Sequence, residues 1–431
     1  MSMFKTVRGM RDFLPRDAKE LIYVEQVTRE LAVLYGYEEI LTPAVESYEL
    51  LAAKSGEEIR QRMYVFTDIG GRKVGLRPEF TASVARLIAT KLRNAPKPLK
   101  LFSVGSLYRY DEPQYGRFRE FWQANYELIG SDQPEADAEI LTISNHLLKK
   151  LGIRNYYFKI GHVGILRGIL NQEGIMEEQQ NQIMQMLDKK RWKNALTTIK
   201  QLGASRQCLT TLKKISETKG KAAFDILKET EDTVQNYRNA VAAVENLRQI
   251  LVVAKAGENK FETLIEPGFA RGLEYYTGII FEPYVPELEI ALGGGGRYDK
   301  LIELFGGEST PAVGVAQGID RIVLAMKKQK AKFKIQEEKR AVVIPVTAEM
   351  KTKAFEISSM LRNAKIPTEM EVVGRSVSKA LSDANRRKVA YAVLVGPEEL
   401  EEEKIVLRYL TTRKQKTVDI KELVKKIKAA K

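Results

Sequence analysis

The run Ser106-Leu-Tyr-Arg-Tyr110, followed after a polar loop by Arg119-Glu-Phe-Trp-Gln-Ala-Asn-Tyr-Glu-Leu-Ile129, decides the fold class. Both arms are strand-like, and the loop between them carries Pro113 and Gly116, so a long β-hairpin is predicted. Side chains alternate along a strand, which puts Arg119, Phe121, Gln123, Asn125 and Glu127 on one face. Trp122, Ala124, Tyr126 and Leu128 fall on the other, a set suited to a core. A polar row of this kind can be the solvated face of an antiparallel sheet. Here, however, Arg117 and Arg119 bracket the loop while Arg109 enters from the other arm. Three guanidiniums converging near Gln123 and Glu127 would make an anion site beside a polar-ligand pocket.

Outward from the hairpin the chain has three textures. Residues 1–161 and 261–327 mix glycine, proline, aromatic residues and short apolar runs, as expected of an antiparallel sheet backed by helices. One helix is predicted from Asp17 to Tyr35, with Leu21, Val24, Leu31 and Leu34 on one side. Another should begin at Pro78, tolerated in a first turn, and run through Val84, Ile88 and Leu92. Between these halves, residues 163–260 contain no proline. Their apolar residues recur at three- and four-residue spacing (Ile183, Met186, Leu187; Val241, Val244, Leu247, Ile250), which predicts a helical insertion. A lysine-rich link, 328–340, leads to residues 341–431, where strands near 341–346, 368–373, 389–395, 404–410 and 416–420 alternate with helices near 350–363 and 377–387 before a terminal helix. That pattern reads as a small α/β domain. The expected architecture is an α+β catalytic domain (1–327) with an antiparallel sheet, interrupted by the helical insertion and followed by the α/β domain.

Composition narrows the function classes. A chain of 431 residues exceeds one ordinary core. No stretch approaches the roughly 20 apolar residues of a membrane helix, and residues 1–5 lack the apolar core of a signal peptide. A cytoplasmic location is expected. A single cysteine, Cys208, allows no internal disulfide, and with only two histidines no metal site is predicted. The net charge of +14 suits contact with a polyanion, although lysine also serves solubility.

Three further clusters are suggestive. Arg271-Gly-Leu-Glu-Tyr-Tyr-Thr-Gly278 brackets an aromatic pair with glycines, which predicts a strand with one tyrosine in the core and one at the surface. Gly293-Gly-Gly-Gly-Arg-Tyr-Asp299 either admits a ligand close to the backbone or forms a flexible turn. It lacks the lysine and hydroxyl of a P-loop, and no GxGxxG follows a strand. Pro311–Gly318 predicts a short strand and Ile319–Met326 a helix with Arg321 in its first turn. His146 and His162 are read as structural.

Together and in this order, these segments resemble a class II aminoacyl-tRNA synthetase: the run around Arg109 looks like its second motif, Gly314–Arg321 its third, and Tyr37–Glu46 its first, which in the family forms the dimer interface. Arg271–Gly278 and Gly294–Asp299 closely resemble signatures of histidyl-tRNA synthetases, and Leu76-Arg-Pro-Glu-Phe-Thr81 and Arg8-Gly-Met-Arg-Asp-Phe-Leu-Pro15 fit as well. The resemblance departs slightly at Asp111, where Glu is common, and at Glu274, where Asp is frequent. It implies activation of L-histidine with ATP, Mg²⁺ accompanying the nucleotide, and transfer to histidine tRNA by a homodimer. Arg109 and Arg271 would be the catalytic, α-phosphate arginines, with Arg117 and Arg321 on the outer phosphates or adenine. Glu79, Thr81 and Gln123 would hold the ammonium group, and Glu127 with Tyr275 or Tyr276 the imidazole. Gln114 and Arg119 would meet the acceptor end, and the last domain the anticodon. The alternative is the histidine-sensing regulatory subunit of ATP phosphoribosyltransferase, which shares the fold but characteristically lacks the last domain.

Overall fold

A hairpin with large side chains on both faces needs cover on both sides and neighbours at both edges. The computed structural model describes residues 4–53, 56–112, 116–257, 260–271, 274–335 and 338–429. Its main sheet contains β1 (Glu38–Glu39), β2 (Leu99–Tyr108), β3 (Glu120–Ile129), β4 (Tyr157–His162), β5 (Thr263–Ile265), β6 (Ile279–Val285), β7 (Ile290–Ala291), β8 (Gly293–Arg297) and β9 (Ala312–Gly318). The spatial order is β1-β2-β3-β9-β8-β6-β4-β5, with β7 beside β6. Pairing is antiparallel from β2 to β4 and parallel only in the end pairs β1–β2 and β4–β5.

The even-numbered face of β3 packs as its pattern dictates. Ala124 and Tyr126 are fully buried, and the Tyr126 hydroxyl donates to Thr28 O at 3.1 Å in α1 (Pro15–Leu34). α2 (Thr81–Thr90) borders the other face, and α3 (Pro134–Lys150) supports β9, where Gln317 Nε2 donates to Ser144 Oγ at 2.9 Å. Between β4 and β5 the chain runs through α4 (Val163–Gln172), α5 (Glu177–Asp188), α6 (Trp192–Gln201), α7 (Arg206–Glu217), α8 (Ala223–Val234) and α9 (Arg238–Ala256). Their three- and four-residue apolar stripe is buried at Ile183, Leu187, Val244, Leu247 and Ile250. Strand β9 passes directly into α10 (Ile319–Lys328), which carries Arg321 in its first turn.

Several expectations are corrected. Leu34, in the last turn of α1, is exposed rather than buried, so Leu31 closes the stripe. α2 starts at Thr81, not Pro78: residues 77–80 turn into the cleft, where the Pro78 carbonyl accepts Arg109 Nε at 2.9 Å. Tyr275 and Tyr276 lie in a turn before β6, not in a strand. Both rings are therefore buried on the same side, which strand alternation would forbid. The glycine run is no flexible turn but strand β8, hydrogen-bonded to β9 and β6.

The chain divides into two compact units, Met1–Lys334 and Ile335–Lys431. In the second, β10 (Ala341–Pro345), β11 (Thr368–Met370), β12 (Tyr391–Val395), β13 (Lys404–Tyr409) and β14 (Lys414–Asp419) form a sheet in the order β11-β10-β12-β13-β14. Alternate residues feed two cores. Ala341, Val343, Tyr391 and Val393 pack with Ile357, Leu361 and Leu423 on one face, while Val342, Ile344 and Ala392 pack with Ala380 and Ala384 on the other.

Candidate active site

The odd-numbered face of β3 does not meet solvent. Gln123, Asn125 and Glu127 are all buried; Gln123 and Glu127 floor a cleft that is closed by Glu79 and Thr81, by Tyr275 and Tyr276, and by Tyr298. Glu127 accepts Thr81 Oγ1 at 2.9 Å, Asn125 Nδ2 at 3.2 Å and the Tyr298 hydroxyl. Burial nevertheless pushes its carboxyl up to about 7, against those three donors, which favour the carboxylate. Glu79 accepts the Tyr275 hydroxyl at 3.3 Å. Burial raises it too, opposed chiefly by the charge of Arg109. Gln123 Oε1 and Asn125 Oδ1 are buried with no hydrogen-bond partner among the described residues. The floor is thus rich in acceptors and suited to a ligand bearing N–H groups.

The roof is cationic. Arg109, Arg117, Arg271 and Arg321 all line the same cleft. Arg321 Nε donates to Gly116 O at 3.2 Å, and a terminal nitrogen donates to Ala291 O at 2.8 Å. Burial, and then the charges of Arg117 and Arg109, pull Arg321 down to about 10. Arg271 is paired with Glu282 at 2.6 Å. Such a cluster is prepared for several negative oxygens at once.

Glycines make room for these side chains. A Cβ on Gly294 would overlap the Arg271 guanidinium, one on Gly314 would overlap Glu127 Oε2, and one on Gly296 would come within 2.8 Å of the Tyr276 ring. The bare strands β8 and β9 therefore form a bed into which the arginine, the carboxylate and the tyrosine settle.

Arg119 is not among the cleft residues. It is 5% exposed, lies 3.7 Å from the centre of the Tyr110 ring and donates from Nε to Asp111 O at 3.1 Å. Arg119 begins the return arm before β3 pairs, and its side chain braces the hairpin neck. Gln114 lies outside the described residues.

Residues 9–322 match the family model described as histidyl-tRNA synthetase.

The chain belongs to the histidyl-tRNA synthetase family.

Residues 340–430 match a second model, described as an anticodon binding domain. A histidine–tRNA ligase of Methanocaldococcus jannaschii is 41% identical over 98% of this chain and 99% of its own length. Among solved structures, apo histidyl-tRNA synthetase of S. aureus is 25% identical with a TM-score of 0.68, covering 98% of this chain and 99% of that one. A Bacillus halodurans structure described as an ATP phosphoribosyltransferase regulatory subunit/histidyl-tRNA synthetase is 26% identical with a TM-score of 0.77, covering 92% and 99%.

Sequence reasoning missed Tyr298 and Glu282, which touch Glu127 and Arg271 only because β8 lies beside β9 and β6 beside β8. The signal for Tyr298 was present in its glycine-run signature; nothing in the sequence marked Glu282. The two departures have structural partners: Glu274 accepts Gln185 Nε2 of α5 at 3.0 Å, and Asp111 pairs with Arg62 at 3.1 Å. His162 caps α4, accepting Gly164 N–H on Nδ1 at 3.0 Å, and burial lowers its imidazole to about 4. It is neutral and structural. His146 contacts Tyr35 at 3.3 Å, away from the cleft.

Proposed function

We propose that the cleft joins L-histidine to ATP and then passes the histidyl group to histidine tRNA. In the first step a carboxylate oxygen of histidine attacks the α-phosphorus, the bond to the β-phosphate breaks, and pyrophosphate leaves. In the second, the terminal ribose hydroxyl of the tRNA attacks the adenylate carbonyl and releases AMP. The observation that carries this reading is the adjacency of four arginines to a buried, acceptor-rich floor: one ligand is anionic, the other bears N–H donors, and their reacting ends meet between. Arg109 and Arg271 would stabilise charge growing on the α-phosphate oxygens, with Arg117 and Arg321 on the outer phosphates or adenine.

Glu79, Thr81 and Gln123 would take the ammonium group, Gln123 Oε1 being an acceptor with no partner of its own. Glu127 would accept one imidazole N–H. Tyr275 directs its hydroxyl to Glu79, which leaves Tyr276 as the second imidazole partner. A site that pairs both ring nitrogens rejects amino acids lacking them, because its buried polar groups would go unsatisfied.

Among the described residues no group of three or more His, Cys, Asp or Glu is placed to hold a metal ion. Mg²⁺ would arrive on the phosphates of ATP, where the ion would help neutralise their charge. Asp111 and Glu282, two of the carboxylates that line the cleft with Arg321, would receive it. Exposed Leu41 and Val45 support a homodimer through the 37–46 segment. No helix among the described residues is long and apolar enough to cross a membrane, and we place the activity in the cytoplasm.

The decisive experiment is histidine-dependent exchange of pyrophosphate into ATP, followed by tRNA charging. Histidine binding without exchange would establish the sensor reading instead. Arg271→Ala should lower the adenylation rate by about 100-fold or more while changing histidine affinity little. Equal loss of both would mean that Arg271 only binds substrate.

A further inference from the structure

The opening stretch Arg8–Pro15 takes no part in the chemistry above, yet it crosses the neck of the hairpin. Gly9 O accepts the Arg119 N–H at 2.9 Å. A Cβ on Gly9 would lie 2.7 Å from Arg119 Cγ, and its φ is +85°, so this close crossing requires glycine. Two residues on, the Arg11 guanidinium sits 3.2 Å from the centre of the Phe118 ring and 4.8 Å from that of Phe13. It is also ion-paired with Asp320, whose side chain is 5% exposed.

The other oxygen of Asp320 accepts the Trp122 N–H at 2.6 Å. One carboxylate therefore ties together three segments: the opening stretch, the start of β3 and the first turn of α10. The next residue, Arg321, reaches across the loop to Gly116 O. Phe118 and Asp320 line the cleft, whereas Arg11 stands behind them.

We propose that Arg11 is a positioning residue, which clamps Phe118 and Asp320 and thereby fixes the loop and helix that present Arg117 and Arg321 to the phosphates of ATP. A guanidinium is suited to this task because it can stack on an aromatic face while its edge pairs with a carboxylate. Lysine, a point charge, could hold the carboxylate but would stack less well. The proposal rests on reading the arginine cluster as the ATP site. It assigns the clamp to the ATP side of the cleft, because none of its contacts reaches Glu79, Gln123 or Glu127.

Pyrophosphate exchange on the full chain, with ATP and histidine varied separately, tests it through Arg11→Met, Arg11→Ala and Arg11→Lys, each with a thermal melt. Arg11→Met keeps an unbranched apolar stem over Phe118 and removes only the charge and fork. It should raise the KM for ATP about tenfold, as loss of a charge-assisted contact predicts, with the KM for histidine and the melting temperature unchanged. Arg11→Lys should recover part of the loss.

Unaltered ATP dependence in both Arg11→Met and Arg11→Ala would overturn the inference. So would a parallel rise in both KM values with a falling melting temperature, the signature of general support for the fold. No exchange by the unaltered protein would instead remove the ATP reading itself, which keeps the two failures distinguishable.

Discussion

Glu127 is the residue whose environment does most to define the ligand. Its carboxyl is held up near 7 by burial, so the folded protein binds a proton there that the unfolded chain releases in the ordinary carboxylate range. The sign follows: this group's contribution to stability declines as pH rises from the ordinary range to about 7. The melting temperature of the unaltered protein should therefore fall relative to Glu127→Gln between pH 5 and 8, as differential scanning would reveal. The carboxylate accepts an imidazole N–H more strongly than the neutral acid does, so histidine should bind better as pH rises through about 7. Free histidine titrates near 6.5 and contributes part of that trend; the part missing in Glu127→Gln belongs to Glu127. At pH 8 the variant should raise the KM for histidine by about tenfold or more. Equal pH profiles for the two proteins would show that Glu127 does not read the imidazole.

At the scale of elements, strands β8 and β9 act by what they lack. At Gly294 an added methyl meets chiefly the mobile end of Arg271, whereas at Gly295 it would meet backbone of the neighbouring strand. Gly294→Ala should therefore displace the guanidinium and leave the sheet intact. We expect adenylation to drop by about 10- to 100-fold with a stability change of about 1 kcal/mol or less, read from exchange kinetics beside a denaturant titration. Unaffected adenylation would mean that Arg271 does not need its present seat. The alternation of β3, the arginines flanking its loop and the strand–helix passage into Arg321 were all legible in the sequence, because each depends on neighbours within a few residues. The conformation of residues 274–278 was not. A glycine-flanked aromatic pair fits a strand equally well, and only packing against Glu79 and β8 turns both rings inward.

At the scale of the molecule, the two units have separate cores, which allows their contributions to be separated. Deleting residues 335–431 should leave histidine-dependent exchange within about twofold and reduce tRNA charging by more than about tenfold, as loss of a nucleic-acid contact surface predicts. Undiminished charging would remove the proposed anticodon role. The +14 charge leads to a second expectation. The KM for tRNA should rise steeply as salt increases from 50 to about 200 mM, while the KM for histidine, bound in a buried cleft, should change little. A flat salt response for tRNA would show that the positive charge serves solubility alone.

The sequence by itself determined most of the strands and helices and the residue types able to bind an anion and an N–H donor. Periodicity, proline and glycine act locally, and the signatures that reveal the family are contiguous runs. Only the tertiary structure decided that Tyr298 and Glu282 join the site, that Arg119 braces the hairpin while Arg117 faces the cleft, and that the opening Arg8–Pro15 stretch grips the loop. Those contacts link residues up to 309 positions apart, and they depend on which strands become neighbours, a choice made by the packing of the whole sheet and not by any one segment.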